Sequence, residues 1–171
     1  MVPTVLDRLT GLTQGSRLLD ALSGLQGLHL VGGAVRDLAL DRTPRELDLV
    51  AEHDGPGVAR ELARRLDGEL RVHDTFGTAT VTAPDLSLDV ATARAESYPA
   101  PGALPVVRGG SLEEDMARRD FSVNAIAVGV SPDVRGELHA FPGAVEDLQA
   151  GRLRVLHDRS FVDDPTRLIR L

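Results

Sequence analysis

"LVGGAVRDLALDRTPRELDLV", residues Leu30 to Val50, is the stretch on which the fold turns. It enters from a short apolar run, Leu28 to Val31, stopped by Gly32-Gly33. An apolar run closed by glycines reads as a buried strand. Ala34, Val35, Leu38 and Ala39 then recur at helical spacing until "DRTP" breaks the pattern. Beyond it, polar Arg45, Glu46 and Asp48 alternate with Leu47, Leu49 and Val50, which makes a strand with one polar face.

Two readings of this unit stay open. Glycines let a backbone approach a ligand closely, and a helix start offers unpaired N–H groups. Arg36, one turn in, adds a guanidinium fork suited to phosphate. The segment is neither G-x-x-x-x-G-K-[ST] nor G-x-G-x-x-G, and by itself it equally describes a strand-to-helix turn with a surface arginine. Glu46 and Asp48 stand two apart on a strand, so their charges share a face and repel. A divalent cation such as Mg²⁺ relieves that repulsion; a solvated strand face is the plainer alternative. Asp89, in "LSLDVATAR", is a third strand carboxylate, a candidate ligand or base, or simply a strand-end aspartate.

Working outward, the 171 residues suffice for one domain with a real core, and 42% are hydrophobic. The net charge of −7 and the 3% aromatic content argue against a stand-alone nucleic-acid clamp. All 19 basic residues are arginine, and Asn124 is the only asparagine. Such a bias follows genome composition, so abundant arginine is weak testimony for phosphate binding. The absence of cysteine excludes disulfides, thiolate metal sites and a thiol nucleophile. No apolar run reaches the ~18 residues of a membrane span, and the N-terminus lacks a signal core, so a soluble cytoplasmic protein is expected. The five histidines show no metal-ligand spacing and read as scattered surface or core residues.

The remaining pattern is mixed. Residues 1–27 read as a leader with one short helix near Ser16–Leu22. "GPGVARELARRLDG" is an amphipathic helix, and "ELRVH", "TATVTA" and "LSLDVATA" are strands at hairpin spacing. "ESYPAPGALPVVRGGS" reads as a mobile Pro/Gly loop. "SLEEDMARRD" opens with Ser111 and Glu114 in capping-box spacing. "FSVNAIAVGV" gives a helical turn and a strand, "GAVEDLQAG" a short helix, "RLRVL" a strand, and "DDPTRLIRL" a helix start. These elements predict an α+β or mixed α/β fold without internal repeats. The last helical pattern runs to the final residue, so the natural protein is expected to continue.

Four segments together, "LVGGAVRDLAL…RELDLV", "LDVATARAESYPAPGALP", "SLEEDMARRDFSVNAIA" and "DDPTRLIRL", closely resemble class II tRNA nucleotidyltransferases and bacterial poly(A) polymerases. The resemblance covers roughly residues 28–171 and implies a polymerase-β-type nucleotidyltransferase head, with a mainly antiparallel sheet flanked by helices. It implies a head over 28–157 and the start of a helical neck over 158–171. It further implies that Gly32, Gly33 and Arg36 cradle the incoming triphosphate and that Glu46 and Asp48 bind Mg²⁺. Arg119 would contact nucleotide, Asp120 and Asn124 would shape the site near the sugar, and Asp164, Arg167 and Arg170 would line the nucleotide pocket.

The residues concur in part. Asp164, Arg167 and Arg170 are spaced by three and share a helix face, although Asp164 also suits a helix cap. Arg118-Arg119-Asp120 equally suits a surface ion-pair cluster. Two departures stand out: Glu46-Leu47-Asp48 replaces the family's usual Asp-x-Asp, and Ala140 occupies a common Asp position. The expected reaction is Mg²⁺-dependent, in-line attack of an RNA 3′-hydroxyl on the α-phosphate of CTP or ATP, with tRNA as acceptor and Asp89 assisting. A poly(A) polymerase and a catalytically weak nucleotide-binding head are the alternatives. No membrane partner is expected, and most RNA contacts would come from domains beyond this chain.

Overall fold

A computed structural model describes residues 1–73 and 77–171, with Val2 and Pro3 described by their backbone alone. Two helices, α1 (Val2–Gly11) and α2 (Thr13–Ala21), precede β1 (Leu28–Val31), α3 (Gly33–Ala39), β2 (Leu47–Ala51) and α4 (Gly55–Leu66). The meander β3 (Glu69–His73), β4 (Thr78–Ala83) and β5 (Leu86–Thr92) follows, then the hairpin β6 (Arg94–Ser97) and β7 (Val106–Gly109). The chain continues through α5 (Leu112–Ala117), a 3₁₀ turn (Ser122–Asn124), β8 (Ile126–Gly129), β9 (Leu138–Ala140), α6 (Ala144–Gln149), α7 (Ser160–Asp163) and a second 3₁₀ segment (Pro165–Arg170).

Among the described residues, seven strands form one sheet in the order β3-β4-β5-β2-β1-β8-β9. The β2–β5 pair is parallel and the others are antiparallel, as expected for a mainly antiparallel sheet flanked by helices. Alternation along the central strands separates two faces. Leu30, Leu47, Leu49, Leu88, Val90 and Val128 are buried on one, under the helices of the main core. The other face carries Asp48, Asp89 and Thr80 at its centre, with Asp48 opposite Asp89 and Thr80 opposite Asp89. Farther along this face, Val31, Val50 and Ala127 pack with Leu112 and Met116 of α5 into a smaller cluster. A short helix thus seals part of the polar face and leaves its carboxylates open.

Where one N-terminal helix is expected there are two, and they are part of the core. Val5, Leu9, Leu18 and Leu22 are wholly buried. Arg8 also donates through Nη1 to the carbonyls of Leu38 (2.6 Å) and Ala39 (3.1 Å), capping the C-terminal end of α3. The expected free loop over 96–111 is instead largely pinned. Strands β6 and β7 pair from Arg94↔Gly109 to Ser97↔Val106, and the Gly102 N–H donates to the Val162 carbonyl at 3.0 Å. "RLRVL" contributes a single bridge, Val155 to Phe121, rather than a strand, because Arg152 and Arg154 turn to Asp147. Strand β9, too short to stand out as an apolar run, closes one sheet edge. No helix among the described residues is long and apolar enough to cross a membrane.

Candidate active site

The parallel register of β2 and β5 sets Asp48 directly across from Asp89, and Glu46 lies just ahead of β2. One carboxylate oxygen from each of Glu46, Asp48 and Asp89 lies within 4.8 Å of the other two. Asp48 is half-buried, whereas Glu46 and Asp89 are exposed. Burial pushes the Asp48 carboxyl up to about 6; the Asp89 charge adds to the rise, Arg119 opposes it and Glu46 adds again. Asp89 is oriented by the Thr80 hydroxyl, which donates to Oδ1 at 2.7 Å. Three converging carboxylates, one of them destabilised as an anion, fit a hard divalent cation bound through oxygen.

Gly32 sits between β1 and α3 with φ 65° and ψ −130°, a conformation that favours glycine. A Cβ there would lie 2.7 Å from Arg119 Nη1. The Gly32 N–H is already committed to the Ile126 carbonyl at 3.0 Å. The glycine therefore serves both the positive φ of the turn and the close approach of the Arg119 guanidinium. Gly33 differs: a Cβ there would meet only the Arg36 guanidinium, at an ordinary 3.6 Å.

Arg119 is nearly buried and ion-paired through Nη2 with Asp115 Oδ2 at 3.0 Å. Burial lowers its pKa, with Asp115 opposing. Its Nε has no hydrogen-bond partner among the described residues. Arg118 is likewise nearly buried, bridging Asp115 (2.7 Å) and Glu96 (3.0 Å), and Arg94 completes the cluster through Glu96. The surface ion-pair alternative for "RRD" is thereby corrected: the two arginines are interior and share a wholly buried acid. Sequence reasoning missed Asp115, although its i+3 and i+4 spacing to Arg118 and Arg119 on one helix was the available signal. It also missed Glu96, which no local spacing connects to Arg118.

A polar ladder ties the glycine turn to the C-terminal 3₁₀ segment. Arg36 Nη1 donates to Asn124 Oδ1 at 2.8 Å, and its Nε donates to Asp37 at 2.9 Å. Asn124 Nδ2 donates to Asp120 Oδ1 at 3.1 Å. Asp120 also accepts the Phe121 N–H and pairs with Arg170 at 3.4 Å, and Arg170 pairs with Asp164 at 3.1 Å. Asp164 caps the 3₁₀ segment by accepting the Thr166 N–H. Arg167 points inward: Nη1 donates to Ser160 Oγ at 2.5 Å and Nη2 to the Arg118 carbonyl at 2.9 Å.

Two cavities result. One, of about 250 Å³, contains Asp48, Asp89, Thr80 and Thr78 in its walls. The other, of about 490 Å³, lies between the β6–β7 connection, Asp120 and the C-terminal 3₁₀ segment. Arg118 and Arg119 line both, so an acidic, cation-suited cavity adjoins a larger one through an arginine wall. That is the layout for a polyanionic ligand whose phosphates lie near a metal.

The chain is similar to known proteins. Residues 28–154 match the poly A polymerase head domain. The A-adding tRNA nucleotidyltransferase of Halalkalibacterium halodurans is 48% identical over 145 residues, covering 84% of this chain and 34% of that protein. The CC-adding tRNA nucleotidyltransferase of Deinococcus radiodurans is 46% identical over 146 residues, covering 84% of this chain and 38% of the relative. The solved structure of the Thermotoga maritima CCA-adding enzyme complexed with tRNA is similar at a TM-score of 0.79 and 35% identity, over 99% of this chain and 39% of that one. The chain thus spans little more than a third of the length of these relatives. With the match to the head domain extending over most of its length, the chain belongs to the poly A polymerase head-domain family.

Proposed function

We propose that this chain is the catalytic head of an enzyme that transfers CMP, AMP or both from CTP and ATP to the 3′ end of tRNA. The observation that carries the reading is the convergence of Glu46, Asp48 and Asp89 beside Arg119. Glu46 and Asp48 would hold Mg²⁺, which when bound would supply Lewis-acid activation of the 3′-hydroxyl and charge neutralisation for the leaving pyrophosphate. Asp48 is mostly ionised above pH 7, because its pKa of about 6 lies below that range. Asp89, held by Thr80, serves as a third carboxylate or as the base toward the attacking hydroxyl. Arg36 and Arg119 neutralise the β- and γ-phosphates, and the Gly32 turn keeps the Arg119 position open. Asp120 and Asn124 fix Arg36 and Arg170 and face the sugar; Asp164, Arg167 and Arg170 form the wall of the larger cavity.

The test is incubation of the full-length protein carrying this segment with tRNA lacking its CCA end, Mg²⁺, and labelled CTP or ATP singly and together. Discrete addition of C, CC, A or CCA that vanishes in Asp48→Asn supports the reading and names the subtype. A long ATP-dependent ladder would move the assignment to poly(A) synthesis. Absence of any incorporation by folded protein would refute nucleotidyl transfer.

A further inference from the structure

Two histidines 110 positions apart meet on the same sheet face as the carboxylates, toward its other end. β1, β8 and β9 are adjacent strands; His29 pairs with Gly129, Ala127 pairs with His139, and the Gly129 N–H donates to the Glu137 carbonyl. His29 and His139 therefore lie on one face, two strands apart, and the Val134 carbonyl occupies the space where a side chain on Gly129 would lie. Their rings stand edge to face, with centroids 5.2 Å apart. This corrects the expectation of scattered histidines: pairing across β8, not spacing along the chain, brings these two together.

We propose that His29, His139 and Glu137 form a binding site for a borderline transition-metal dication of the Zn²⁺ type. One ligand atom from each lies within 4.8 Å of the other two. His29 is wholly buried, and neither of its ring nitrogens has a hydrogen-bond partner among the described residues. A buried imidazole aimed at a second imidazole and a carboxylate has a free lone pair to give. Carboxylates also orient His139, whose Nε2 faces Glu137 Oε2 at 3.5 Å and whose Nδ1 faces Glu113 Oε1 at 3.6 Å. A carboxylate behind one nitrogen fixes the tautomer that presents the other to a metal. Glu52, Glu137 and Asp133 place negative charge around His29 as well.

The ligand chemistry sets this site apart from the catalytic carboxylates. Two imidazole nitrogens and one carboxylate select Zn²⁺, whereas Mg²⁺ prefers all-oxygen sites. Val50 pairs with His29 and belongs to the apolar cluster under α5; Asp48 lies one pleat farther along β2. A metal here would clip the edge strand β9 to the central strand β1, and through Glu113 to α5, the helix that carries Asp115.

The test uses the purified full chain, apo and then exposed to Zn²⁺ in excess Mg²⁺, with bound zinc measured after gel filtration and Co²⁺ as a spectroscopic substitute. The expected result is one Zn²⁺ per chain, visible Co²⁺ d–d bands, and a zinc-dependent rise in Tm. His139→Ala and Glu137→Gln, with folding checked by circular dichroism, should each weaken zinc by roughly 100-fold and abolish the Tm rise. Asp48→Asn should leave zinc binding intact. The proposal is overturned if wild-type protein retains no zinc, if both variants bind it as wild type does, or if Asp48→Asn is the change that removes it. Glu137 is half-exposed, so its variant remains informative should His139→Ala fail to fold.

Discussion

Asp48 on β2 and Asp89 on β5 are direct partners across a parallel strand pair, so two carboxylates stand side by side on one sheet face. Without a cation this is costly. The rise of Asp48 from 3.8 to about 6 means that the folded state binds the proton more tightly than the unfolded chain does. The associated stability is fully present below pH 4 and lost as pH rises through about 6. The rise corresponds to at most about 3 kcal/mol, which solvent screening of a half-exposed site reduces to about 1–2 kcal/mol. Asp48→Asn in metal-free buffer should therefore raise Tm by about 3–6 °C at pH 8 and scarcely at all at pH 4. It should also abolish transfer. Melting curves across pH check the first statement, and a Tm gain independent of pH would contradict it.

Glu46 lies outside β2 and is exposed, so its arm has room to adjust. Glu46→Asp should keep turnover within about tenfold, roughly 1.4 kcal/mol of barrier. Glu46→Gln should lose at least about 100-fold, because a neutral amide neither repels Asp48 nor ligates a hard cation well. Neither change should move Tm by more than about 1–2 °C, as expected for a surface position. A Glu46→Gln enzyme with normal Mg²⁺-dependent turnover would remove Glu46 from the metal site.

The glycine pair separates by substitution. Gly32→Ala places a Cβ at positive φ and against Arg119, so it should cost about 1–3 kcal/mol and displace the arginine. Gly33→Ala meets only ordinary contacts at the start of α3 and should be neutral or stabilising by up to about 1 kcal/mol. Urea unfolding of the two variants decides the matter. Equal losses would contradict this separation of the two glycines.

The short-range order was legible in sequence. β1, α3, β3, β4 and β5 fall where apolar period and glycine boundaries place them. What the sequence hid depends on distant pairing. Strand β9 is three residues long and half-polar, and the β6–β7 hairpin lies in a segment whose prolines and glycines argue for a loop. Glu96 reaches Arg118 across 22 positions, and His29 reaches His139 across 110. Spacing singled out Glu46 and Asp48, and resemblance singled out Arg119, but only the three-dimensional pairing shows that Asp48 faces Asp89 and that Gly32 makes room for Arg119.

Asp115 holds the arginine wall together. It accepts from Arg118 Nε (3.0 Å) and Nη2 (2.7 Å) and from Arg119 Nη2 (3.0 Å), while wholly buried. Asp115→Ala leaves two nearly buried cations facing one another, a change that typically costs about 3–5 kcal/mol. The denaturant midpoint should fall accordingly, and nucleotide affinity should fall with it because both arginines line the cavities. A variant of unchanged stability would show that Glu96 alone suffices to neutralise the pair.

Arg167 and Arg170 share a three-residue spacing but perform different work. Arg167 has 3% of its side chain exposed and bonds Ser160 Oγ and the Arg118 carbonyl, so it locks the C-terminal 3₁₀ segment onto the end of α5. Arg170 has 53% exposed and pairs loosely with Asp120 and Asp164 at the mouth of the larger cavity. Arg167→Ala should cost about 2–4 kcal/mol, because it orphans a buried hydroxyl and a carbonyl as well as removing packing. Arg170→Ala should change stability by less than about 1 kcal/mol, yet raise the nucleotide KM by roughly tenfold, the equivalent of about 1.4 kcal/mol of lost binding. Arg167→Lys tests the fork directly, since one ammonium cannot span both acceptors as a guanidinium does, and it should recover less than half of the lost stability. Steady-state kinetics and thermal melts on the three variants separate the roles. A KM effect confined to Arg167→Ala, with Arg170→Ala silent, would reverse the assignment.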